Sequence, residues 1–177
     1  PAPARPTLLE AAPGVGAYEP VWQRLGVSRW VGLDLSADAV AHCRRRYPWG
    51  TFLQQDLTEE TWTGAAQDEG DGFDLVTAID VLYHLTEAAA FERALKGLAA
   101  RVKPGGLLVV SDVFVEHDRR IAAHVRRRAL GTYQEVLGPE FVLEDREAVF
   151  AILGDPVPRS RAALDQALSL AWRGLAR

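Results

Sequence analysis

Apolar runs of strand length recur along most of the chain, and each is followed by a segment whose apolar residues fall at helical spacing. Thr7–Ala11 ("TLLEA") reads as a strand, residues 18–25 as a helix, and residues 30–35 ("WVGLDL") as a second strand. Ser36 can cap the helix that follows: its hydroxyl can accept a free N–H of the first turn, and Asp38 stands near the positive end of the helix dipole. A third strand is expected at Thr51–Gln54 and a fourth at Phe73–Ile79 ("FDLVTAI"), after a Gly- and Asp-rich loop at 64–72. A helix starting at Thr86 sets Phe91, Leu95, Leu98 and Val102 on one buried face. Pro104-Gly105-Gly106 stops it before a fifth strand at 107–110. Short, nearly continuous apolar strands separated by helices predict an α/β fold, a mostly parallel sheet with helices on both faces.

Beyond Asp112 the pattern loosens. Residues 121–137 read as mostly helical, 141–143 and 148–153 as short strands, and 161–176 as an amphipathic helix. The apolar face of that helix, on Leu164, Leu168 and Trp172, could cover the sheet or join two chains as a homodimer. There is no internal repeat and no low-complexity tract, so one domain over 1–177 is the economical organisation.

Composition narrows the function classes. The chain has 177 residues, 48% apolar and 25% charged, enough for a core of one domain. A formal net charge of −4 makes the whole a poor binder of polyanions, so no nucleic-acid partner is expected. Arg44 to Arg46 end a helix, where cations offset the dipole and need no ligand. Arg126 to Arg128, with His117 and His124, could meet an acidic group of a substrate, although a charge run is usually a solvated face. The single cysteine, Cys43, excludes an internal disulfide and a multi-thiolate metal site, and fits a reducing compartment such as the cytoplasm. No apolar run approaches the roughly 20 residues of a membrane helix and no charged-then-apolar leader opens the chain, so no membrane partner is expected. The chain has no methionine, and a strand begins within a few residues of Pro1, so a natural N-terminal segment could lie outside it.

In an open α/β sheet, ligands bind outside the carboxyl ends of the strands. Five successive strand ends carry Glu10, Asp34, Asp56, Asp80 and Asp112, which would ring the cleft with carboxylates. Such a ring repels pyrophosphate and suits hydroxyls, amines or a positive centre. The Gly-rich turn after the first strand, Gly14-Val15-Gly16, is followed at Asp34 by an acid at the distance where a carboxylate can accept both ribose hydroxyls. Glu19 stands where a dinucleotide fingerprint wants a third glycine, which counts against NAD.

With these motifs in order, the stretch from Leu8 to Asp112 resembles the class I S-adenosylmethionine-dependent methyltransferases. "LEAAPGVGAY" is similar to their glycine motif, "VGLDLS" to their ribose-binding acid and "QQDL" to their adenine-contacting segment. "FDLVTAIDVLYHL" and "RVKPGGLLVVSD" resemble their fourth and fifth strands. The resemblance implies a Rossmann-like three-layer sandwich that binds S-adenosylmethionine and releases S-adenosylhomocysteine. It implies that Gly14 and Gly16 let the loop pass close to the methionine part, and that Asp34 binds the ribose diol. It also implies that Asp56 accepts from the adenine amino group beside Leu57, and that Glu10 lies near the cationic end. Ala12, Tyr18, Leu35, Ile79 and Asp80 complete the expected cofactor-binding set. Two departures stand out. Ala12 occupies the place of the motif's first glycine. The antiparallel last strand is assigned to 148–153, with a helix after it.

The acceptor would enter over Tyr83, His84, Phe114 and the segment 117–133. His84, with an unperturbed pKa of about 6.5, could take the proton of a hydroxyl or amine, against the commoner reading of a packed structural histidine. Tyr83 could pack on cofactor or touch substrate, and in-line transfer can proceed by positioning alone. Asp80 and Asp112 could hold a divalent cation, but Val113 offers no further ligand, so no metal is expected. The expected activity is methyl transfer to an oxygen or nitrogen of a small molecule. Its rivals are a non-catalytic binding module on the same fold and a nicotinamide-dependent oxidoreductase.

Overall fold

The computed structural model describes residues 5–62, 64, 72–148 and 168–174. Five strands run parallel: β1 (Thr7–Ala11), β2 (Arg29–Asp34), β3 (Thr51–Gln54), β4 (Phe73–Ile79) and β5 (Val102–Asp112). A two-stranded ribbon follows, β6 (Arg119–Ala122) and β7 (Val125–Arg127), and then β8 (Phe141–Ala148) and β9 (Leu168–Gly174). The main sheet has the order β3-β2-β1-β4-β5-β9-β8, with β9 antiparallel to both of its neighbours. This is the expected α/β sandwich.

The period of two along each strand sorts the core into two layers. On one side Leu8, Trp30 and Phe52 pack with Trp22 of α1 (Glu19–Arg24) and with Val40 and Cys43 of α2 (Ala37–Arg46). On the other, Leu9, Ala11, Val76, Ala78, Leu108 and Val110 pack with Phe91, Leu95 and Leu98 of α3 (Ala88–Ala99) and Tyr133 of α4 (Leu130–Leu137). Fully burying side chains of this size contributes about 1.5–3 kcal/mol each. Ser36 caps α2 as expected, its Oγ accepting from the Ala39 N–H at 3.3 Å, with Arg44, Arg45 and Arg46 in the last turn.

Four expectations are corrected. β5 starts at Val102, which pairs with Phe73 before the Pro-Gly-Gly segment bulges out and pairing resumes at Leu75 and Leu107. The mostly helical reading of 121–137 gives way to the β6–β7 ribbon, with helix only from Leu130. The Arg128 guanidinium explains this. Its Nη2 donates to the Leu85 carbonyl, its Nη1 lies 3.4 Å from the Leu82 carbonyl, and it stacks 3.8 Å over the Phe91 ring. That tertiary demand overrides the helix propensity of an Ala- and Arg-rich run. Leu168–Gly174 is a strand rather than part of a helix, because the spacing of four between Leu168 and Trp172 suits a period of two as well as 3.6. β9 is also the antiparallel strand that had been expected at 148–153. Residues 149–153, and the rest of the helix expected at 161–176, lie outside the described residues, as does most of the loop at 64–72.

Candidate functional site

The ends of β1 and β2 and the loop between β1 and α1 form one hydrogen-bonded unit. The Ala12 N–H donates to the Leu33 carbonyl at 2.7 Å, and Ala12, Gly14 and Gly16 all take positive φ (52°, 57° and 76°). Asp34, the last residue of β2 and only 9% exposed, accepts from the Gly14 N–H at 3.1 Å through Oδ2 and from the Ser36 N–H at 2.9 Å through Oδ1. An ionised carboxylate offers about four lone-pair sites. Two are therefore used to fix the loop and the start of α2, and two remain for hydroxyls. The two glycines answer different needs. A Cβ on Gly14 would meet nothing within 4 Å, so that part of the loop borders open space. A Cβ on Gly16 would lie 2.3 Å from Cε2 of Tyr47, whose hydroxyl donates to the carbonyls of Val15 and Gly16 at 3.2 Å. Gly16→Ala is expected to lower stability by about 1–2 kcal/mol in urea unfolding, from positive φ and the displaced ring.

Glu10 lies on the α1–α2 side of the sheet, between Gly32 of β2 and Thr77 of β4 in register, and is 2% exposed. Its Oε2 accepts from both the Trp22 and the Trp30 indole N–H, at 3.0 and 2.8 Å. Burial pushes its carboxyl up to about 7, against the lowering effect of the two indoles. The Tyr18 phenol is raised by burial and then by the charges of Asp80 and Glu10, and the Cys43 thiol by burial and then by Glu10 and Asp34. The Cys43 thiol in turn donates to the Gly14 carbonyl at 3.2 Å. Glu10, Tyr18, Asp34, Cys43 and Asp80 thus share one electrostatic neighbourhood at the strand ends.

The remaining expected residues lie around it. Leu35 is 66% exposed directly after Asp34, and its carbonyl accepts from the Gln54 side chain at 3.2 Å. The Gln55 N–H donates to the Asp34 carbonyl at 2.9 Å, which brings Asp56 alongside. Asp56 Oδ1 accepts from the N–H and Oγ1 of Thr58 at 2.8 and 2.7 Å, so this oxygen shapes a turn, while Leu57 packs into the core. Half-buried Ile79 ends β4. Asp80 follows with φ 54°, held by Ser111, whose Oγ accepts the Asp80 N–H at 2.9 Å and donates to its Oδ1 at 2.7 Å.

Next comes a 3₁₀ turn, Leu82–His84, with Leu82 buried, Tyr83 half-buried and His84 exposed. The two rings lie 4.4 Å apart, and the Tyr83 phenol is raised by burial, then by Asp80 and Asp112. His84 Nδ1 is 3.1 Å from the His124 carbonyl oxygen, and the rings of His84 and His124 stack at 5.9 Å. A carbonyl only accepts, so Nδ1 carries the proton of the neutral ring and Nε2 the lone pair.

Asp112 does not join the ring of carboxylates. It shares the inward parity of Leu108 and Val110, is wholly buried, and accepts from the Tyr133 hydroxyl and from the Val113 N–H at 2.6 Å. Burial raises its carboxyl despite these donors and nearby Arg128. The solvated-face reading of the arginine run likewise fails at Arg128, which is 1% exposed. Sequence reasoning also missed the indole partners of Glu10. The available signal was a buried-strand acid accompanied by tryptophans on the next strand and helix.

The methyltransferase-domain family model matches residues 1–140. A curated relative, ubiquinone biosynthesis O-methyltransferase of a Bradyrhizobium species, is 34% identical over 104 residues, which are 59% of this chain and 38% of the relative. The chain thus spans well under half the length of that relative. Among solved structures, an S-adenosylmethionine-dependent methyltransferase of Mesorhizobium loti aligns with a TM-score of 0.68 at 21% identity, covering 98% of this chain and 93% of that one. The N-methyltransferase NodS of Bradyrhizobium japonicum, in complex with S-adenosylhomocysteine, aligns with a TM-score of 0.66 at 19% identity over 96% of this chain and 78% of its own.

Proposed function

The chain belongs to the methyltransferase-domain family, and from that premise we propose that it moves a methyl group from S-adenosylmethionine to an oxygen or nitrogen of a small molecule, releasing S-adenosylhomocysteine. The observation that carries this reading is Asp34, whose carboxylate accepts one N–H from the Gly14 loop and one from Ser36 at the start of α2 and keeps acceptor capacity beside open space. Asp34 would take the ribose hydroxyls, Asp56 the adenine amino group beside Leu57, and Glu10 would face the cationic end. Ala12, Gly14, Gly16, Tyr18, Leu35, Ile79 and Asp80 would form the walls. The concentration of carboxylates favours a cofactor without phosphate over a pyrophosphate.

When bound, S-adenosylmethionine supplies an electrophilic methyl on a cationic sulfur. The protein's part is to orient the acceptor for in-line attack and to receive its proton. His84 is proposed as the base: with Nδ1–H held by the His124 carbonyl, Nε2 is left to accept. Tyr83 would form the wall between this base and the cofactor. Calorimetric titration tests the reading. About one equivalent of S-adenosylhomocysteine should bind, and NAD should not; binding of NAD instead, or of neither, overturns it.

A further inference from the structure

His124, Arg126 and Arg128 are alternate positions along β7 and its flanks, so they share one face of the strand, and all three meet the segment 82–86. The His124 carbonyl holds Nδ1 of His84, Arg126 donates to the Thr86 carbonyl at 3.3 Å, and the Arg128 guanidinium donates to the carbonyls of Leu82 and Leu85. Water competes with these contacts to different degrees. His84 and His124 are exposed and Arg126 is half-buried, whereas Arg128 is 1% exposed. Hydrogen bonds are stronger where water is excluded. Arg128 is therefore the firm point of this seam, and the exposed His84–His124 bond depends on it.

The guanidinium spans the turn. Leu82 begins the 3₁₀ turn and Leu85 follows it, so Tyr83 and His84 lie between the two carbonyls that Arg128 grips. Nη1 also lies 3.4 Å from the Arg126 carbonyl, and the Phe91 ring beneath the guanidinium packs edge-on at 4.9 Å against Tyr133, whose hydroxyl donates to Asp112 at the end of β5. The grip is thus braced on the sheet. Burying a guanidinium is costly, and an apolar side chain of similar size would fill the space without that cost. Such a side chain could not hold two carbonyls at once. We propose that Arg128 is a positioning residue for His84: by gripping both ends of the turn it keeps the ring against the His124 carbonyl, so that the proton stays on Nδ1 and the lone pair on Nε2. The functional meaning of this rests on the reading of His84 as the base for methyl transfer.

Nitrogen NMR of the histidine-labelled chain at about pH 9, where an ordinary imidazole is neutral, tests the proposal. The His84 signals are those that vanish in His84→Gln. In the parent they should report a protonated Nδ1 and a bare Nε2. Arg128→Met and Arg128→Lys should each move most of that proton to Nε2, the tautomer a free histidine side chain prefers, while S-adenosylhomocysteine affinity stays within about twofold of the parent. Lysine keeps the charge but lacks the planar fork, so it separates the two, and it decides the matter alone if the methionine variant does not fold. Gly16→Ala, which lowers stability from the cofactor loop, should leave the His84 tautomer as in the parent. A protonated Nε2 in the parent, a parent-like tautomer in either Arg128 variant, or an equal change in Gly16→Ala overturns the proposal. Failure of S-adenosylhomocysteine to bind the parent would instead tell against the methyl-transfer reading, and the nitrogen signals would still judge Arg128.

Discussion

Asp34→Ala is expected to weaken S-adenosylhomocysteine binding by about 100-fold or more, roughly 3 kcal/mol. The side chain has two tasks that fail together. It accepts the Gly14 and Ser36 N–H groups at 3.1 and 2.9 Å, and in the proposed complex it accepts the ribose hydroxyls. Hydrogen bonds to a charged group contribute about 1.5–3 kcal/mol each, and removing the acceptor also leaves two N–H groups to find water. Asp34→Asn removes the charge and keeps one acceptor oxygen, so it gives up one of the two N–H bonds as well as part of the ribose contacts and should show an intermediate loss. Calorimetry on the two variants and the parent decides, and an alanine variant within about threefold of the parent would remove Asp34 from the cofactor site.

Glu10→Gln is expected to change how stability depends on pH. The Glu10 carboxyl is raised from 4.5 to about 7 by burial, so over that interval the native protein holds a proton that the unfolded chain has lost. The sign follows from linkage. The stabilisation is complete below about 4.5 and is lost as pH rises through about 7, a loss of about 3 kcal/mol. Glutamine cannot ionise and can accept the same indole bonds from Trp22 and Trp30 through its amide oxygen. Urea unfolding at pH 5 and pH 8 should therefore show a markedly smaller fall for the variant than for the parent. Equal falls would mean that Glu10 ionises as freely in the native state as in the unfolded chain. An ionised, buried carboxylate destabilises the protein alone and attracts a cation, which ties the energetics of this residue to the charge of the expected cofactor.

The half of the fold that positions the cofactor was legible in the sequence because its signals are local. β1, β3 and β4 have the expected bounds, and β2 and α2 differ by a residue or so, since apolar strands, a Ser36 cap and a Gly-rich turn each need only neighbours in sequence. The acceptor side was not legible. Arg128 fixes the ribbon through contacts with residues more than 40 positions away, and nothing in Arg126-Arg127-Arg128 distinguishes the buried arginine from its neighbours. Asp112 reads like the other strand-end acids, yet parity turns it toward Tyr133. For β9, apolar residues four apart satisfy both periods, and only the open edge of β5 settles the matter.

That edge has a consequence for the order in which the molecule is completed. β9 is the last of the described strands in chain order but lies inside the sheet, hydrogen-bonded to β5 on one side and β8 on the other. During synthesis the five parallel strands and α3 can assemble as they emerge, whereas β8 has no sheet partner among the described residues until Leu168–Gly174 has left the ribosome. Until then, among the described strands, β5 and β8 each present an unpaired edge, a template for pairing with another chain. The nascent chain is therefore more aggregation-prone between the release of Ala148 and the insertion of β9 than after it.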